Sequence, residues 1–347
     1  MDRRTWLRGA AAGAVATLVG GCARDAVGPR SEVAYASAFS MPKSVDEAFW
    51  LEFEARIEKA LPNFDIRLLI RGETGPEEQA FAGVRRGRLQ IVGGSFAGVA
   101  SLVPEIALLS VPFLFDTEDE VDYVMDKYML EPFRDLFAAK GLDLLHWTDV
   151  GWVNLYDKQP FRVPEAARGR RLRSSTSIAS QAFIRELGAD TITMPFTDVV
   201  PSLQTGLIEG GVTSATMYSL SGISTEAPHY ILTRHSYDMG VLAASSEWMR
   251  DLGAEERAVI AIGFGGAAQA RATARASVRR TMESLPGQGV RLYVLSDEER
   301  ERWRVASWPA HEKLVEQIGG DARRIYETRL SGKAAFDARV AAGAAAT

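Results

Sequence analysis

Apolar positions recur along this chain in two periods. Residues 44–61 place Val45, Phe49, Phe53, Ile57 and Leu61 four apart with charges between them, the stripe of an amphipathic helix, and Pro62 ends it. Residues 33–39 (VAYASAF) and 65–70 (DIRLLI) read as strands on either side. Residues 76–86 carry Phe81 and Val84 on one helical face, and 89–92 form a third strand running into Gly93, Gly94 and Ser95. The opening is therefore βαβαβ, which predicts a parallel sheet with covering helices.

The rest of the chain continues the alternation. Residues 108–115 are an apolar connection around Pro112, and 119–140 are helical with Val121, Val124, Met125, Leu130, Phe133, Leu136 and Phe137 inward. Strands are expected at 142–147, 151–156, 169–173, 190–194 and 208–213, with helices at 178–187 and 197–205, the latter capped by Thr197. Strands at 230–232 and 237–243 precede 247–282, a long proline-free helix weakened by Gly263, Gly265 and Gly266. A last strand at 290–294 leads to helical segments over 297–345. No internal repeat of fixed period is present. The pattern predicts two α/β lobes joined by late segments that cross back to the first, an arrangement that places a ligand cleft between lobes and closes by hinge motion.

The first 22 residues break this pattern. Arg3, Arg4 and Arg8 are followed by small and apolar residues from Gly9 to Gly21, a run too short to span a bilayer and typical of an export signal. Arg3-Arg4-Thr5-Trp6-Leu7 resembles a twin-arginine signal. Val19-Gly20-Gly21-Cys22 resembles a bacterial lipobox, and Cys22 is the chain's one cysteine. The expected organisation is a signal peptide over 1–21, a lipid-anchored tether over 22–32, lobe I over 33–148, lobe II over 149–236, and return strands with long and C-terminal helices over 237–347. The expected location is a periplasm, with a lipid anchor on Cys22 as the only membrane attachment.

Composition narrows the function. The chain has 347 residues, enough for two domains with their own cores, and 46% hydrophobic with 24% charged content excludes a disordered or disulfide-framework protein. Net charge is −5, and removal of residues 1–21 makes it −7, which argues against nucleic acid as a partner. Four dispersed histidines (His146, His229, His235, His311) and one cysteine leave little material for a metal site. There is no nucleophile elbow, Walker lysine or H-E-x-x-H. The acid pairs Glu77-Glu78, Asp119-Glu120 and Glu298-Glu299 read as solvated helix faces, and Gly263-Phe264-Gly265-Gly266 as helix packing. Neither an enzyme nor a cofactor is expected.

Three blocks carry a more specific signal: Pro164–Arg173 (PEAARGRRLR), 187–199 (LGADTITMPFTDV) and 203–210 (LQTGLIEG), preceded by Ser110-Val111-Pro112-Phe113-Leu114-Phe115. In order and spacing they resemble the solute-binding proteins of tripartite ATP-independent periplasmic (TRAP) transporters, the C4-dicarboxylate-binding type. The resemblance covers about residues 33–294. It implies a bilobed periplasmic-binding-protein-like fold with a long connecting helix. It also implies capture of a small organic acid by lobe closure and delivery to the large and small permease subunits.

The same resemblance makes Arg173 the carboxylate anchor, for which a guanidinium's planar fork is suited. Bland pairing of Arg173 with a second-lobe acid is the alternative. Thr213 stands where the family usually has an asparagine, Ser95 where it often has a polar side chain, and Val153 where many members carry a second arginine. These departures imply a less polar aromatic or aliphatic acid, with Thr213 and Ser95 donating hydrogen bonds. Phe39, Phe96, Trp147, Trp152 and Tyr218 would shape its apolar part, and Met41 and Met217 would supply adaptable walls. The competing readings are a binder of a non-carboxylate apolar solute for sensing or trafficking, and an enzyme on the same scaffold.

Overall fold

Two long strands organise the molecule. The computed structural model describes residues 33–345, and within them β4 (Leu142–Asp157) and β8 (His229–Ser245) run antiparallel through the middle of one nine-stranded sheet. On one side lie β1 (Ala34–Ser37), β2 (Ile66–Leu69) and β3 (Ile91–Ser95), with β3 pairing the C-terminal half of β8. On the other lie β5 (Arg171–Ser174), β6 (Asp190–Thr193) and β7 (Gly210–Ser214), with β7 pairing the C-terminal half of β4 and β9 (Arg291–Val294) pairing the start of β8. Each side is an α/β lobe, and β4 and β8 are the strands that pass from one to the other. The expected boundaries at 148/149 and 236/237 therefore fall inside these two strands.

The predicted βαβαβ opening is present. Helix α1 (Val45–Ala60) begins at Ser44, whose hydroxyl accepts from the Glu47 N–H. Its inward face is Trp50, Phe53 and Ile57, while Val45 and Phe49 turn toward the cleft. Helix α2 (Glu77–Arg85) buries Phe81 and Val84. β1 pairs parallel with both β2 and β3, as right-handed helical crossovers require. Lobe I has an apolar core on each face of its sheet, one around Phe81, Phe133 and Trp147, the other around Trp50, Phe53 and Ile260. Lobe II repeats the scheme, with cores around Phe183 and Trp303 and around Tyr218 and Tyr230.

The long helix expected at 247–282 is three helices: Ser246–Asp251, Ala254–Ile262 and Ala267–Ser284. The glycines do more than weaken it. Gly265 adopts φ +82°, and a Cβ on Gly263 would lie 2.6 Å from the Phe53 ring. The break lets Phe264 stack on Phe53 at 4.1 Å. The last segment packs along β4 and straddles the lobes. Near its start, Arg271 and Arg275 pair with Asp122, Asp126 and Asp149 in lobe I; farther along, Val278 and Met282 pack on the lobe II core.

Candidate functional site

A cavity of about 1110 Å³ lies between the lobes. β5 supplies one of its two buried arginines; the other is Arg271. Of the three arginines in Gly169-Arg170-Arg171-Leu172-Arg173, Arg170 pairs with Asp157 and Arg171 with Glu209, whereas Arg173 has no ion pair among the described residues. Arg173 is 5% exposed and lines the cavity. One Nη donates to the Met194 carbonyl at 3.1 Å, the guanidinium lies 5.8 Å from the Phe196 ring centroid, and Nε has no hydrogen-bond partner. Burial lowers its pKa from the ordinary arginine value, opposed by the nearby Tyr156 phenol. A buried guanidinium with unused donors facing a cavity is a site built for an anion.

Thr213, on β7, lines the same cavity. Its carbonyl accepts from Tyr230 at 3.1 Å, while no hydrogen bond to its hydroxyl occurs among the described residues. Helix Ala215–Leu220 turns Thr216, Met217 and Leu220 toward the cavity. His235 also lines it, stacked on Phe183 at 3.8 Å with Nδ1 2.8 Å from the Thr233 hydroxyl. Burial, with Arg300 nearby, holds its pKa down to about 3, so the ring is neutral.

Lobe I gives the opposite wall. Phe39, Met41 and Trp147 line it, with the Trp147 ring wedged edge-on between Phe96 (5.8 Å) and Phe133 (5.7 Å) and its indole N–H unpartnered. Of the five carboxylates that line the cavity, Asp149 pairs with Arg275 and Glu78 accepts from Thr176, while Asp46, Glu77 and Asp238 share this wall without an ion pair among the described residues. Glu77 accepts from the Ser95 N–H (3.1 Å) and the Ser95 hydroxyl (2.5 Å), and Ser40 donates to Asp46.

The sequence profile described as "Bacterial extracellular solute-binding protein, family 7" matches residues 39–318. The chain belongs to this family. Among its relatives, a solute-binding protein of Chromohalobacter salexigens is 26% identical over 245 residues, 70% of this chain and 72% of the relative. Of solved structures, the sugar acid binding protein of Advenella mimigardefordensis in complex with galactonate superposes with TM-score 0.78 at 26% identity, covering 87% of this chain and 98% of that one. The periplasmic ectoine-binding protein of the Halomonas elongata TRAP transporter gives TM-score 0.82 at 20% identity, covering 88% and 100%.

Against that family frame, the cavity brings together seven of the ten residues expected in it: Arg173, Thr213, Ser95, Trp147, Phe39, Met41 and Met217. Three lie elsewhere. Trp152 sits on the far side of β4, edge-on to Tyr237 at 4.9 Å and under the Arg234 guanidinium at 4.4 Å. Its neighbour Val153 faces the cavity instead, because successive strand residues point to opposite faces. Phe96 is buried behind Trp147. Tyr218 follows Met217 on its helix but points into the core, stacking on Tyr230 at 4.3 Å and donating to the Ala227 carbonyl at 2.7 Å.

Ser95 is present but differently employed. Its hydroxyl proton goes to Glu77 while its oxygen accepts from the Gly98 N–H, so it holds a carboxylate of the wall rather than facing open space. Glu77 is the residue sequence reasoning missed. An acid in the first turn of a helix is expected on dipole grounds alone, so nothing in its position marks it. Asp238, in mid-β8, carried a weak signal: a charge within an otherwise small and apolar strand. Cys22 and the preceding signal lie outside the described residues.

Proposed function

We propose that this family 7 protein captures a small organic carboxylate between its lobes and hands it to the membrane subunits of a TRAP-type importer. The observation that carries this reading is Arg173: buried, lining the cavity, and without the acid partner that its two neighbours Arg170 and Arg171 have. A ligand carboxylate supplies the missing charge and accepts the unused guanidinium donors. Thr213 donates a further hydrogen bond to it. Trp147, Phe39, Met41 and Met217 enclose a less polar body, consistent with Val153 where a second arginine is common in the family. The galactonate-bound and ectoine-binding relatives bracket the ligand chemistry this scaffold accommodates.

The reading extends to the ends of the chain. Residues 1–21 act as an export signal, Cys22 receives the lipid, and 22–32 tether the binding domain in the periplasm. Radiolabelled palmitate incorporation tests this; a Cys22→Ala protein that still carries label overturns it.

Carboxylate capture is tested by thermal unfolding of residues 23–347 with aromatic, aliphatic and dicarboxylic acids and their neutral amides. Ligand at 100 times its dissociation constant stabilises by about 2.7 kcal/mol. The expected result is a shift with acids, none with amides, and none for Arg173→Ala. Equal shifts by acids and amides would replace the carboxylate reading with that of an apolar-solute binder.

A further inference from the structure

The lobe I wall carries charge that the carboxylate reading does not use. Asp46, Glu77 and Asp238 line the cavity, and none makes an ion pair among the described residues. They come from three elements: the first turn of α1, the first turn of α2, and β8. Each is crowded. Burial raises all three pKa values; Glu78 and then Asp46 add to the effect at Glu77, and Glu77 to that at Asp238, which is pushed up to about 7. Asp46 is exposed at the cleft, and Glu77 and Asp238 are half-buried. The other lining cations do not neutralise this group. Arg271 is held by Asp122 and Asp126, while Lys43 and Arg280 are exposed.

Arg173 is an independent feature of the same cavity. It is 95% buried by area, with an unpartnered Nε, and stands on the lobe II side. The closed site thus has an uncompensated cation in one lobe and uncompensated carboxylates in the other. They do not satisfy each other, so a ligand between them completes both. Phe39, Trp50, Phe49 and Phe264 also line the cavity, and Glu77 lies 3.3 Å from where a Cβ of Gly94 would stand, beside the Phe81 ring. Aromatic faces next to carboxylates are the usual surroundings of a bound organic cation.

We infer that the ligand is a zwitterion: a carboxylate on Arg173 and, separated from it by an apolar body, an ammonium or similar cation on the Asp46–Glu77–Asp238 wall. The inference rests on the carboxylate reading above and adds the second pole. Binding of the cation favours the ionised form of Asp238, so ligand uptake near neutral pH releases protons from that residue.

Isothermal titration calorimetry with matched probes tests it. The pairs are para-aminomethylbenzoate against para-methylbenzoate and ε-aminocaproate against caproate, with galactonate as a hydroxylated acid. The wild type is expected to bind each aminated member about tenfold or more tighter than its partner, the scale of one charge-assisted contact. Asp238→Asn and Glu77→Gln should close that gap by weakening the aminated members. If Glu77→Gln fails to fold because Ser95 loses its partner, Asp238→Asn still decides the matter. Equal affinity within each pair, or tighter binding of galactonate than of any aminated probe, overturns the zwitterion while carboxylate capture stands. Acid affinities that survive Arg173→Ala, or no binding by any probe, overturn the carboxylate reading and the zwitterion with it.

Discussion

The Thr176 hydroxyl donates a hydrogen bond to Glu78 at 2.9 Å, joining residues 98 apart in sequence and belonging to different lobes. Thr176 lies three residues beyond Arg173, and Glu78 immediately follows Glu77. The bond therefore links the segment that carries Arg173 to the helix that carries Glu77. Any ligand that spans the two poles pulls the same two segments together.

Thr176→Val removes this strap without removing volume. One hydrogen bond to a carboxylate at an exposed site is worth about 0.5–1.5 kcal/mol. We expect ligand dissociation, followed by stopped-flow fluorescence, to accelerate about two- to tenfold, with ligand-free stability changed by less than about 0.5 kcal/mol. An unchanged dissociation rate would mean that the contact contributes nothing to closure.

Arg173→Met should make the empty protein more stable and useless. A desolvated guanidinium without a counter-charge opposes folding, and an apolar side chain of similar length removes that cost. Chemical denaturation of the ligand-free variant should show a gain of about 1–2 kcal/mol, with acid binding abolished. A loss of stability would show that Arg173 is a structural residue.

Asp238 gives a pH dependence with a definite sign. Its folded pKa, about 7, is above the unfolded value of 3.8, so between these the folded state holds more protons and stability falls as pH rises. Asp238→Asn removes the slope. Relative to wild type it should be more stable by about 1–3 kcal/mol at pH 8, with the difference fading below about pH 4. His235 and His311, held down to about 3 and about 4, contribute the opposite slope below pH 6.5, but they are common to both proteins and cancel in the difference. A pH-independent difference would place Asp238 in water.

Gly211 lets β7 lie against the cation. A Cβ there would stand 2.6 Å from the Tyr156 hydroxyl and 2.9 Å from both the Cβ and the carbonyl oxygen of Arg173. Gly211→Ala should cost about 1–3 kcal/mol through overpacking and weaken acid binding by displacing Arg173. Tyr156→Phe in the same chain should restore part of the stability, since the hydroxyl is the nearest obstacle and has no hydrogen-bond partner. Additive effects of the two substitutions would refute the packing account.

Much of this protein was legible from its sequence because the determining forces are local. The four-residue stripe of α1 and the alternation of strands and helices gave a bilobed α/β fold, since apolar periodicity acts within a few residues. The cap expected at Thr197 is absent, because Thr197 lies within a 3-10 turn and the helix begins at Val199. The blocks ending at Arg173 and around Gly210 gave the family and the positions of Arg173 and Thr213. Other features depended on which face a residue takes and what meets it there. β4 and β8 each read as two short strands, yet each is one long strand with register shifts, because pairing across the sheet bridges the largely polar stretches 148–150 and 233–236 that look like breaks. Trp152 and Val153 exchanged roles through strand alternation, and Tyr218 turned inward one residue from Met217. The acidic wall was beyond any local rule. Asp46, Glu77 and Asp238 are 31 and 161 residues apart along the chain, and nothing in the sequence points from one to the others. Only the tertiary fold brings them to one cavity wall opposite an arginine with no ion pair among the described residues, and the energy of a charge is set by the groups around it in space, not by its neighbours in the chain.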